Sequence, residues 1–520
     1  MAASSSRRAD VAPRQLTRFL KAVAAEIGDE WVFDSATDVA SYQDVFALGD
    51  PRLHSPAGAV APLTAAQVQT IVRLANRFKV PLWTISRGKN FGYGGAAPVM
   101  RGVVILDLTR MKRIIDVDEK LAYCVIEPGV GFYDLHAYLR ANGIRLWMSC
   151  LGNSLGSVIG NALEHGTGIT PYADHAMNLC GMELVMPDGD IVRTGMGAMD
   201  DNPTWHLSRH GYGPGWEQMF TQSNFGVVTR AGMWLMPEPE GTLSMTMNAD
   251  KPEDIRWIVD TLGELRTKRI ITQATTVRNY MRWAALDSVR SDWYDGPGAM
   301  PDEVIERIRQ KYGVGWWNIN FRLYELPEVN DAHARFIEEK FKAVTDNRFE
   351  ISRWRQGDPP ALSGESLPGV GSMQMVNWAG GRGGHVGFSP VLPLNGELAF
   401  AQFDRTRVRM KEFGFDYYGS MYLWERAITV ISQIFFDRDD AQMLERVHGL
   451  FRALIADAAQ NGYGEYRTHI DFMDDVARSF AFNNHALLRW NEKLKDALDP
   501  NGILSPGKQG IWPARYREEA

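Results

Sequence analysis

The sequence predicts an α+β protein of more than one domain. Its 520 residues exceed what a single hydrophobic core usually organises, so at least two domains are expected. Helical and strand-like hydrophobic patterns both occur before and after residues 237–240, which read Pro-Glu-Pro-Glu. A proline-and-acid segment of this kind interrupts regular structure, and we therefore expect a domain boundary there.

The predicted elements follow in order along the chain. Apolar residues at helical spacing predict helices at 14–27, 66–78, 131–141, 301–311 and 331–344. Strand patterns occur at 80–85, 103–108, 123–127, 182–186, 191–193, 225–236, 243–247 and 316–324. Pro187-Asp188-Gly189-Asp190 is typical of a hairpin turn, and the Gly/Pro/Ser-rich segment 362–370 predicts a loop.

Composition excludes several classes of function. Hydrophobic residues make up 45% and the net charge is −7, which argues against a nucleic-acid partner or an anionic membrane surface. Apolar runs of eighteen residues do not occur, so no membrane span is expected. Three cysteines without a CxxC motif fit a reducing compartment, and the twin arginine Arg7-Arg8 precedes no apolar stretch. A cytoplasmic protein is therefore expected.

A glycine-rich loop, residues 86–95, follows the strand predicted at 80–85. Its glycines would let successive backbone N–H groups face an anion, and Arg87 or Lys89 would add positive charge. The loop has neither the spacing of a Rossmann fingerprint nor the Gly-Lys-Ser/Thr of a P-loop. An anion site and a glycine-rich surface turn fit the loop equally well.

A second glycine cluster places Gly156, Gly160, Gly166 and Gly168 within thirteen residues. Such a segment could lie against a flat cofactor, or it could be a helix packed closely through its glycines. Glycine weakens regular structure, so this density favours close approach of another group.

His385 stands among glycines in segment 383–390, where a bulky planar ligand could come within bonding distance of the backbone. The alternative is a structural histidine. Tyr466 and Arg467 combine a phenol with a guanidinium, which suits a bound phenolate or an ordinary surface pair. In an extended segment their side chains would point to opposite faces, so joint action requires a bend there.

A metal site is not expected. His206 and His210 would share one helix face, but Leu207 stands where a zincin carries glutamate, and surface histidines are the simpler interpretation. Sixteen Trp, seventeen Tyr and 23 Phe suit hydrophobic cores and also the clamping of flat organic molecules.

Seven segments together resemble the vanillyl-alcohol oxidase and eugenol oxidase family, to which the flavoprotein subunit of 4-cresol methylhydroxylase belongs. They are residues 88–98, 170–175, 193–198, 220–224, 383–390, 462–469 and 499–508. The resemblance covers almost the whole chain. It implies a two-domain α+β FAD-binding fold whose FAD domain is split between 1–237 and 463–520, with a cap domain at 238–462.

The same resemblance assigns roles to individual residues. It implies FAD bound covalently through His385, and a phenolate held by Tyr93, Tyr466 and Arg467. It places the other cofactor contacts at Thr84, Ser86, Arg87, Gly88, Lys89, Ser157, Asn161, Glu164, Gly166 and Lys508. It places the substrate pocket at Gly152, Asn153, Tyr422 and Thr429.

Two positions depart from the family pattern. Relatives carry an aspartate beside the reacting carbon where this chain has Gly152, followed by Asn153. The His-His pair found in many oxidases of the family falls on Thr429-Val430. The resemblance therefore assigns no residue to the acid–base role. It implies a roomier pocket that is expected to admit 2,6-dimethoxyphenols.

The function implied by the resemblance is oxidation of 4-alkylphenols and 4-hydroxybenzyl alcohols by hydride transfer to FAD through a quinone methide. Dioxygen would then reoxidise the flavin and release hydrogen peroxide, in an enzyme that is expected to be a homodimer. A cytochrome-coupled dehydrogenase, which would need an electron-acceptor protein, is the nearest alternative. An FAD-linked oxidase of 2-hydroxy acids or sugars is more distant, and a flavin-storage protein is further still.

Overall fold

The structure is a computed structural model that describes residues 7–150, 153–358 and 373–517. Within these ranges the α-helices are Pro13–Ile27 (α1), Ala36–Ala40 (α2), Ala65–Phe78 (α3), Phe132–Ala141 (α4), Val158–Leu163 (α5), Ile255–Thr267 (α6), Met281–Asp287 (α7), Asp302–Tyr312 (α8), Pro327–Lys342 (α9), Gly396–Glu412 (α10), Ala441–Gln460 (α11), Met473–Ser479 (α12) and Phe482–Leu498 (α13).

The strands in the same ranges are Val32–Phe33 (β1), Gly58–Val60 (β2), Leu82–Ile85 (β3), Val104–Asp107 (β4), Ile114–Asp118 (β5), Tyr123–Ile126 (β6), Leu146–Trp147 (β7), Leu179–Val185 (β8), Ile191–Arg193 (β9), Val227–Trp234 (β10), Met236–Pro237 (β11), Gly241–Ala249 (β12), Thr275–Asn279 (β13), Trp317–Leu323 (β14), Glu350–Arg355 (β15), Gly383–Phe388 (β16), Val391–Pro393 (β17), Tyr418–Leu423 (β18) and Ala427–Asp437 (β19).

Two larger sheets and the small two-stranded sheet β7-β11 lie in the part of the molecule up to residue 237. The first has the strand order β1-β2-β4-β3, with β2, β4 and β3 parallel. The second is antiparallel, with the order β5-β6-β10-β8-β9. The predicted hairpin is confirmed, because Val185 pairs with Ile191 across the turn.

Helix α3 shows how local sequence positions these elements. The Thr64 hydroxyl accepts a hydrogen bond from the Gln67 backbone N–H at 3.2 Å, which caps the first turn. Its apolar residues at helical spacing, such as Val68 and Ile71, are fully buried in a core shared with α1 and β4. The helix predicted at 66–78 is thereby confirmed to within one residue.

The largest sheet among the described residues is antiparallel and has eight strands. Seven follow the order β15-β12-β14-β13-β18-β19-β16, and β17 pairs separately with β19. Helices α6, α9, α10 and α11 pack against one face of this sheet. That face carries Met421 of β18 together with Val430 and Ile434 of β19, all buried. Side chains alternate along strands, so the residues between them face the first two sheets.

The C-terminal segment returns to the first sheet. Leu82 of β3 donates its N–H to Ile503 O at 2.6 Å and accepts from Ser505 N at 2.8 Å, so residue 504 lies parallel to β3. Both ends of the chain thus build one unit, as the predicted fold class requires. The exact domain limits at 237/238 and 462/463 stay predictions.

A fully buried ion pair anchors this return. The ammonium of Lys495 lies 2.8 Å from Asp499 and donates to the carbonyls of Asn224 at 2.7 Å and Leu504 at 2.6 Å. Asp499 in turn accepts from the backbone N–H groups of Ile503 and Leu504. Every charge in this cluster is therefore balanced and hydrogen-bonded.

The remaining expectations about the chain stand as follows. The loop predicted at 362–370 lies outside the described residues. Within the ranges that the structure describes, no helix has both the length and the apolar character that crossing a bilayer would need.

The buried pair gives a prediction about stability. Lys495→Met leaves the Asp499 carboxylate buried without a counter-charge, which should lower the free energy of unfolding by about 3–5 kcal/mol. Lys493→Met, on an exposed position of the same helix, should change it by less than about 0.5 kcal/mol. Thermal unfolding followed by circular dichroism compares the two. Equal unfolding temperatures for both variants would show that the pair does not anchor the segment.

Candidate active site

A cavity of about 570 Å³ lies between the first two sheets and the inner face of the eight-stranded sheet. Its lining draws on the loop after β3, the start of α5 and strands β16, β18 and β19, and on the C-terminal segment. This volume is within the ordinary range of ligand-binding pockets. Segments that are hundreds of residues apart in the sequence therefore meet at one site.

The glycine-rich loop forms one wall of the cavity. The backbone N–H of Thr84 donates to Ser505 Oγ at 3.2 Å, which fixes the loop to the C-terminal segment. Thr84, Ser86, Arg87, Gly88 and Lys89 all line the cavity. Arg87 nevertheless directs its guanidinium to Gly129 O and the Asp134 carboxylate, so its charge is already balanced.

The second glycine cluster packs directly against that loop. Ser157 caps α5, since its hydroxyl accepts from the Gly160 N–H at 2.8 Å and donates to Pro128 O at 2.6 Å. A Cβ on Gly160 would lie 2.2 Å from Ser86 Oγ, which requires glycine at this position. The close packing of α5 through a glycine is therefore confirmed, and residues of α5 also line the cavity.

The end of α5 is joined to the C-terminal segment. Glu164 forms an ion pair with Lys508 and accepts a hydrogen bond from Gln509 Nε2 at 3.1 Å. Asn161 lines the cavity, and its Oδ1 accepts a hydrogen bond from His175 Nδ1 at 2.6 Å. Gly166 lies behind Asn161 and outside the lining, where a Cβ would meet the Asn161 amide.

The inner face of the eight-stranded sheet forms the opposite wall. Across β18 and β19, Ser420 pairs with Ile431 and Tyr418 with Gln433. These four side chains, together with Tyr422, line the cavity. On β16, His385 pairs with Phe435 of β19, so the histidine shares this face.

His385 lies in a buried and mostly apolar corner of the cavity. The Phe46 ring meets the imidazole edge-on, with centroids 5.2 Å apart. Burial lowers the pKa of His385 to about 4, so the ring is neutral at physiological pH. A Cβ on Gly92, where φ is +80°, would lie 2.8 Å from His385 Nε2. Among the described residues, none hydrogen-bonds His385 Nδ1.

The chain bends at Tyr466 and Arg467, as joint action of the two side chains requires. The Arg467 guanidinium lies over the Tyr93 ring, 4.1 Å from its centroid, and donates to Asn90 Oδ1. Its Nε is buried and has no partner among the described residues. Arg467 and Tyr93 line the cavity, whereas Tyr466 lies just behind them. The three predicted residues are thus brought together.

Burial controls the ionisation of this cluster. It raises the pKa of Tyr93 and Tyr466, and Arg467 offsets only part of that effect. Both tyrosines therefore keep their protons at neutral pH and can donate hydrogen bonds. The neighbouring Glu465, whose Oε1 accepts from Ser389 N at 3.0 Å, also has a strongly raised pKa because it is buried. Its carboxyl is neutral and does not cancel the charge of Arg467.

Only some of the residues predicted for the substrate pocket line the cavity. Asn153 lines the cavity and donates from Nδ2 to Lys89 O at 2.7 Å. Tyr422 also lines it, while Thr429 stands outside the lining and accepts from Trp424 Nε1 at 3.0 Å. Gly152 lies outside the described residues.

Several lining residues were missed from the sequence, among them Arg282, Tyr418, Ser420 and Gln433. The alternation of polar and apolar residues at 418–422 was a usable signal for an inner strand face. Arg282, on the short helix α7, had no such signal. Of the histidine pair, His206 bonds Cys180 O through Nδ1 at 2.9 Å and stacks on Trp205, with ring centroids 4.4 Å apart.

These features fit a dinucleotide cofactor with a flat ring. The loop at 84–89 and the start of α5 line one end of the cavity, where backbone N–H groups and exposed Lys89 suit phosphate groups. At the other end a neutral imidazole and a cluster of phenols border the cavity.

Comparison with known proteins supports this interpretation. Residues 56–195 match the family described as FAD binding domain, and residues 399–509 match the C-terminal domain of FAD linked oxidases. The flavoprotein subunit of 4-cresol dehydrogenase [hydroxylating] from Pseudomonas putida is 34% identical over 514 residues, which span 96% of this chain and 98% of that protein.

Two solved structures agree closely with the fold. The 4-ethylphenol oxidase from Gulosibacter chungangensis, in its isoeugenol complex, has 35% identity and a TM-score of 0.93, covering 98% of this chain and 100% of that one. The p-cresol methylhydroxylase with substrate bound has 32% identity and a TM-score of 0.92, covering 98% and 99%.

The fold and the site together define an FAD-dependent oxidoreductase. At this identity over nearly its full length, the chain belongs to the vanillyl-alcohol oxidase/4-cresol methylhydroxylase family. The resemblance seen in the sequence is therefore confirmed, as are the two-domain FAD-binding fold and FAD as the cofactor.

Proposed function

We propose that the protein oxidises para-substituted phenols, such as 4-alkylphenols and 4-hydroxybenzyl alcohols, at the carbon attached para to the hydroxyl. The observation that carries this proposal is the cluster of Tyr93, Tyr466 and Arg467 beside the cavity, with His385 on the same cavity wall as Tyr422. The similarity to 4-ethylphenol oxidase and to 4-cresol dehydrogenase also supports it. Bound FAD supplies the two-electron acceptor.

The cluster suits an aryloxide because it offers one fixed cation and two neutral donors. Arg467 supplies the cation because a guanidinium is charged in proteins, while Tyr93 and Tyr466 stay protonated and can donate to the substrate oxygen. A hydrogen bond to a charged group contributes about 1.5–3 kcal/mol. Ionisation of the phenol pushes electron density into the ring, so hydride leaves readily from the side-chain carbon attached at the para position, and a quinone methide results. Water addition then gives an alcohol, whereas loss of a proton gives an alkene.

We also propose that FAD is attached covalently through His385. The neutral ring, its free Nδ1 and the glycine facing Nε2 support this, because an unprotonated imidazole is the nucleophilic form. Segment 84–89 would hold the pyrophosphate. Ser157, Asn161, Glu164 and Lys508 would contact the rest of the cofactor, with Gly166 supporting Asn161 from behind.

For reoxidation we propose dioxygen, with hydrogen peroxide as the product, by analogy with 4-ethylphenol oxidase. An electron-acceptor protein is the second candidate, because the 4-cresol dehydrogenase flavoprotein subunit is equally similar. A homodimer and a cytoplasmic location stay predictions from the sequence.

Removal of the guanidinium tests the function. Arg467→Met should lower kcat/KM for 4-ethylphenol roughly 10- to 150-fold, which corresponds to the loss of about 1.5–3 kcal/mol. Arg489→Met, at an exposed position on α13, is the matched control and should leave kcat/KM unchanged. Steady-state assays in air, with hydrogen peroxide measured alongside product, give both numbers.

The same assay separates the alternatives. Turnover of lactate or glucose without turnover of any phenol would contradict the proposal. Phenol turnover that needs an artificial electron acceptor and yields no peroxide would favour an acceptor protein over dioxygen as the oxidant of the flavin.

The glycine at 152 gives a prediction about ring substitution that rests on the sequence alone. If the missing carboxylate leaves room for a second ortho methoxy group, the wild type should oxidise 4-propylsyringol at least as efficiently as 4-propylguaiacol. Gly152→Asp should lower this ratio, and Gly152→Ala should lower it less. A strong wild-type preference for the guaiacol would exclude the roomier pocket.

The same variant tests water addition. If Gly152→Asp gives the same ratio of alcohol to alkene as the wild type, the carboxylate at position 152 does not direct water addition.

A further inference from the structure

Two arginines stand at one side of the cavity without a role in the proposed chemistry. Arg282 of α7 lines the cavity. Arg278 of β13 pairs in register with Ser420 of β18, which also lines it. Since paired residues share a sheet face, Arg278 belongs to the inner face of the eight-stranded sheet.

The charges of these two arginines are not balanced within the part of the chain that the structure describes. There, neither guanidinium forms an ion pair, whereas Arg87 pairs with Asp134 and Lys508 with Glu164. Among the described lining residues the acidic side chain is Glu164, which Lys508 and Gln509 already engage. Positive charge therefore accumulates on the β13 side of the cavity.

The immediate neighbours of the pair are tyrosine side chains. Tyr422 and Tyr418 lie beside Arg278, and Arg282 lies beside Tyr418. Burial lowers the pKa of Arg278 and raises that of Tyr418, so the surroundings disfavour both charged forms. A buried cation without a counter-charge is costly, and an anion supplied by a ligand would offset that cost.

The two arginines lie across the cavity wall from the cluster of Tyr93, Tyr466 and Arg467. Strands β18 and β19 separate β13 from β16, which makes three strand spacings, or about 14 Å between backbones. Ser389 directly follows the last residue of β16, and its carbonyl accepts a hydrogen bond from Tyr466 N at 3.2 Å. This contact places Tyr466 at the β16 side of the cavity. Arg278, Ser420 and Ile431 lie in one row of pairs across the sheet. With side chains reaching inward from both sides, one elongated molecule can contact both clusters.

We propose that Arg278 and Arg282 form a subsite for a carboxylate carried on the para side chain of the phenol. The preferred substrates are then 4-hydroxyphenyl-substituted short-chain acids rather than neutral 4-alkylphenols. Two guanidinium groups suit a carboxylate because each can donate two parallel hydrogen bonds. This proposal rests on the proposed phenol oxidation, and it leaves the chemical step unchanged while adding an anchor for the far end of the substrate.

The test compares 3-(4-hydroxyphenyl)propanoate with the neutral amide of the same shape, 3-(4-hydroxyphenyl)propanamide, on the full-length holoenzyme. The wild type should show kcat/KM roughly tenfold or more in favour of the acid. In Arg282→Gln and Arg278→Gln this acid-to-amide ratio should fall toward one, whatever happens to the absolute rates. Arg282→Lys, which keeps the charge, should retain part of the preference. Arg489→Gln, far from the cavity lining, should leave the ratio as in wild type.

Binding provides a second readout that does not depend on turnover. Isothermal titration calorimetry, done without oxygen on holoenzyme whose flavin has been reduced beforehand so that it accepts no hydride, should show tighter binding of the acid than of the amide to the wild type, with the difference weakened by salt and lost in Arg282→Gln. Equal affinity and equal kcat/KM of acid and amide in the wild type would overturn the subsite. A ratio that survives in both glutamine variants would overturn it as well.

The two proposals fail in distinguishable ways. Turnover of 4-ethylphenol and of the amide without any preference for the acid would remove the subsite and leave phenol oxidation intact. Selective, arginine-dependent binding of the acid without turnover of any phenol would keep the subsite and remove the proposed oxidation.

Discussion

The return of the C-terminal segment to β3 is the constraint on which the site depends. The buried Lys495–Asp499 pair and the backbone bonds between residues 503–505 and Leu82 hold that segment against the first sheet. The same segment carries Tyr466 and Arg467 at its beginning and Lys508 near its end. One attachment therefore positions both the cluster of phenols and the cation that pairs with Glu164 at the end of α5.

Burial determines which groups in the cavity carry charge. His385, Tyr93, Tyr466 and Glu465 are all kept neutral because desolvation disfavours their ionised forms. Guanidinium groups resist this effect, since their intrinsic pKa lies so far above neutrality. The cavity is thus an environment of neutral donors and fixed cations. That combination favours an anionic substrate, because the neutral groups do not repel it and the cations attract it.

Much of the fold could be predicted from the sequence, and the reasons are local. The helix at 65–78 has a clear apolar face, and the turn residues at 187–190 predict the hairpin that joins β8 and β9. The glycine segments and the Tyr466-Arg467 pair were identifiable because they break ordinary composition rules. The bend at Tyr466 and Arg467 was foreseeable because the neighbouring glycines permit it.

Other features depend on contacts between distant parts of the chain and could not be predicted in this way. The wall that joins Arg278, Tyr422 and Gln433 exists only because β13, β18 and β19 pair in one register. Glu465 was visible in the sequence, yet its neutral state follows from burial that only the folded chain provides. Arg282 sits on a helix of seven residues, which is too short for its periodicity to identify a face.

Covalent attachment of FAD at His385 is the central claim, and the mass of the acid-denatured protein tests it most directly. The account predicts that the wild-type polypeptide carries the added mass of FAD and that the yellow colour stays with the acid precipitate. His385→Ala should show the mass of the bare chain, with any flavin released into the supernatant. A wild-type chain of unmodified mass, or an alanine variant whose flavin remains fully attached, would contradict the account.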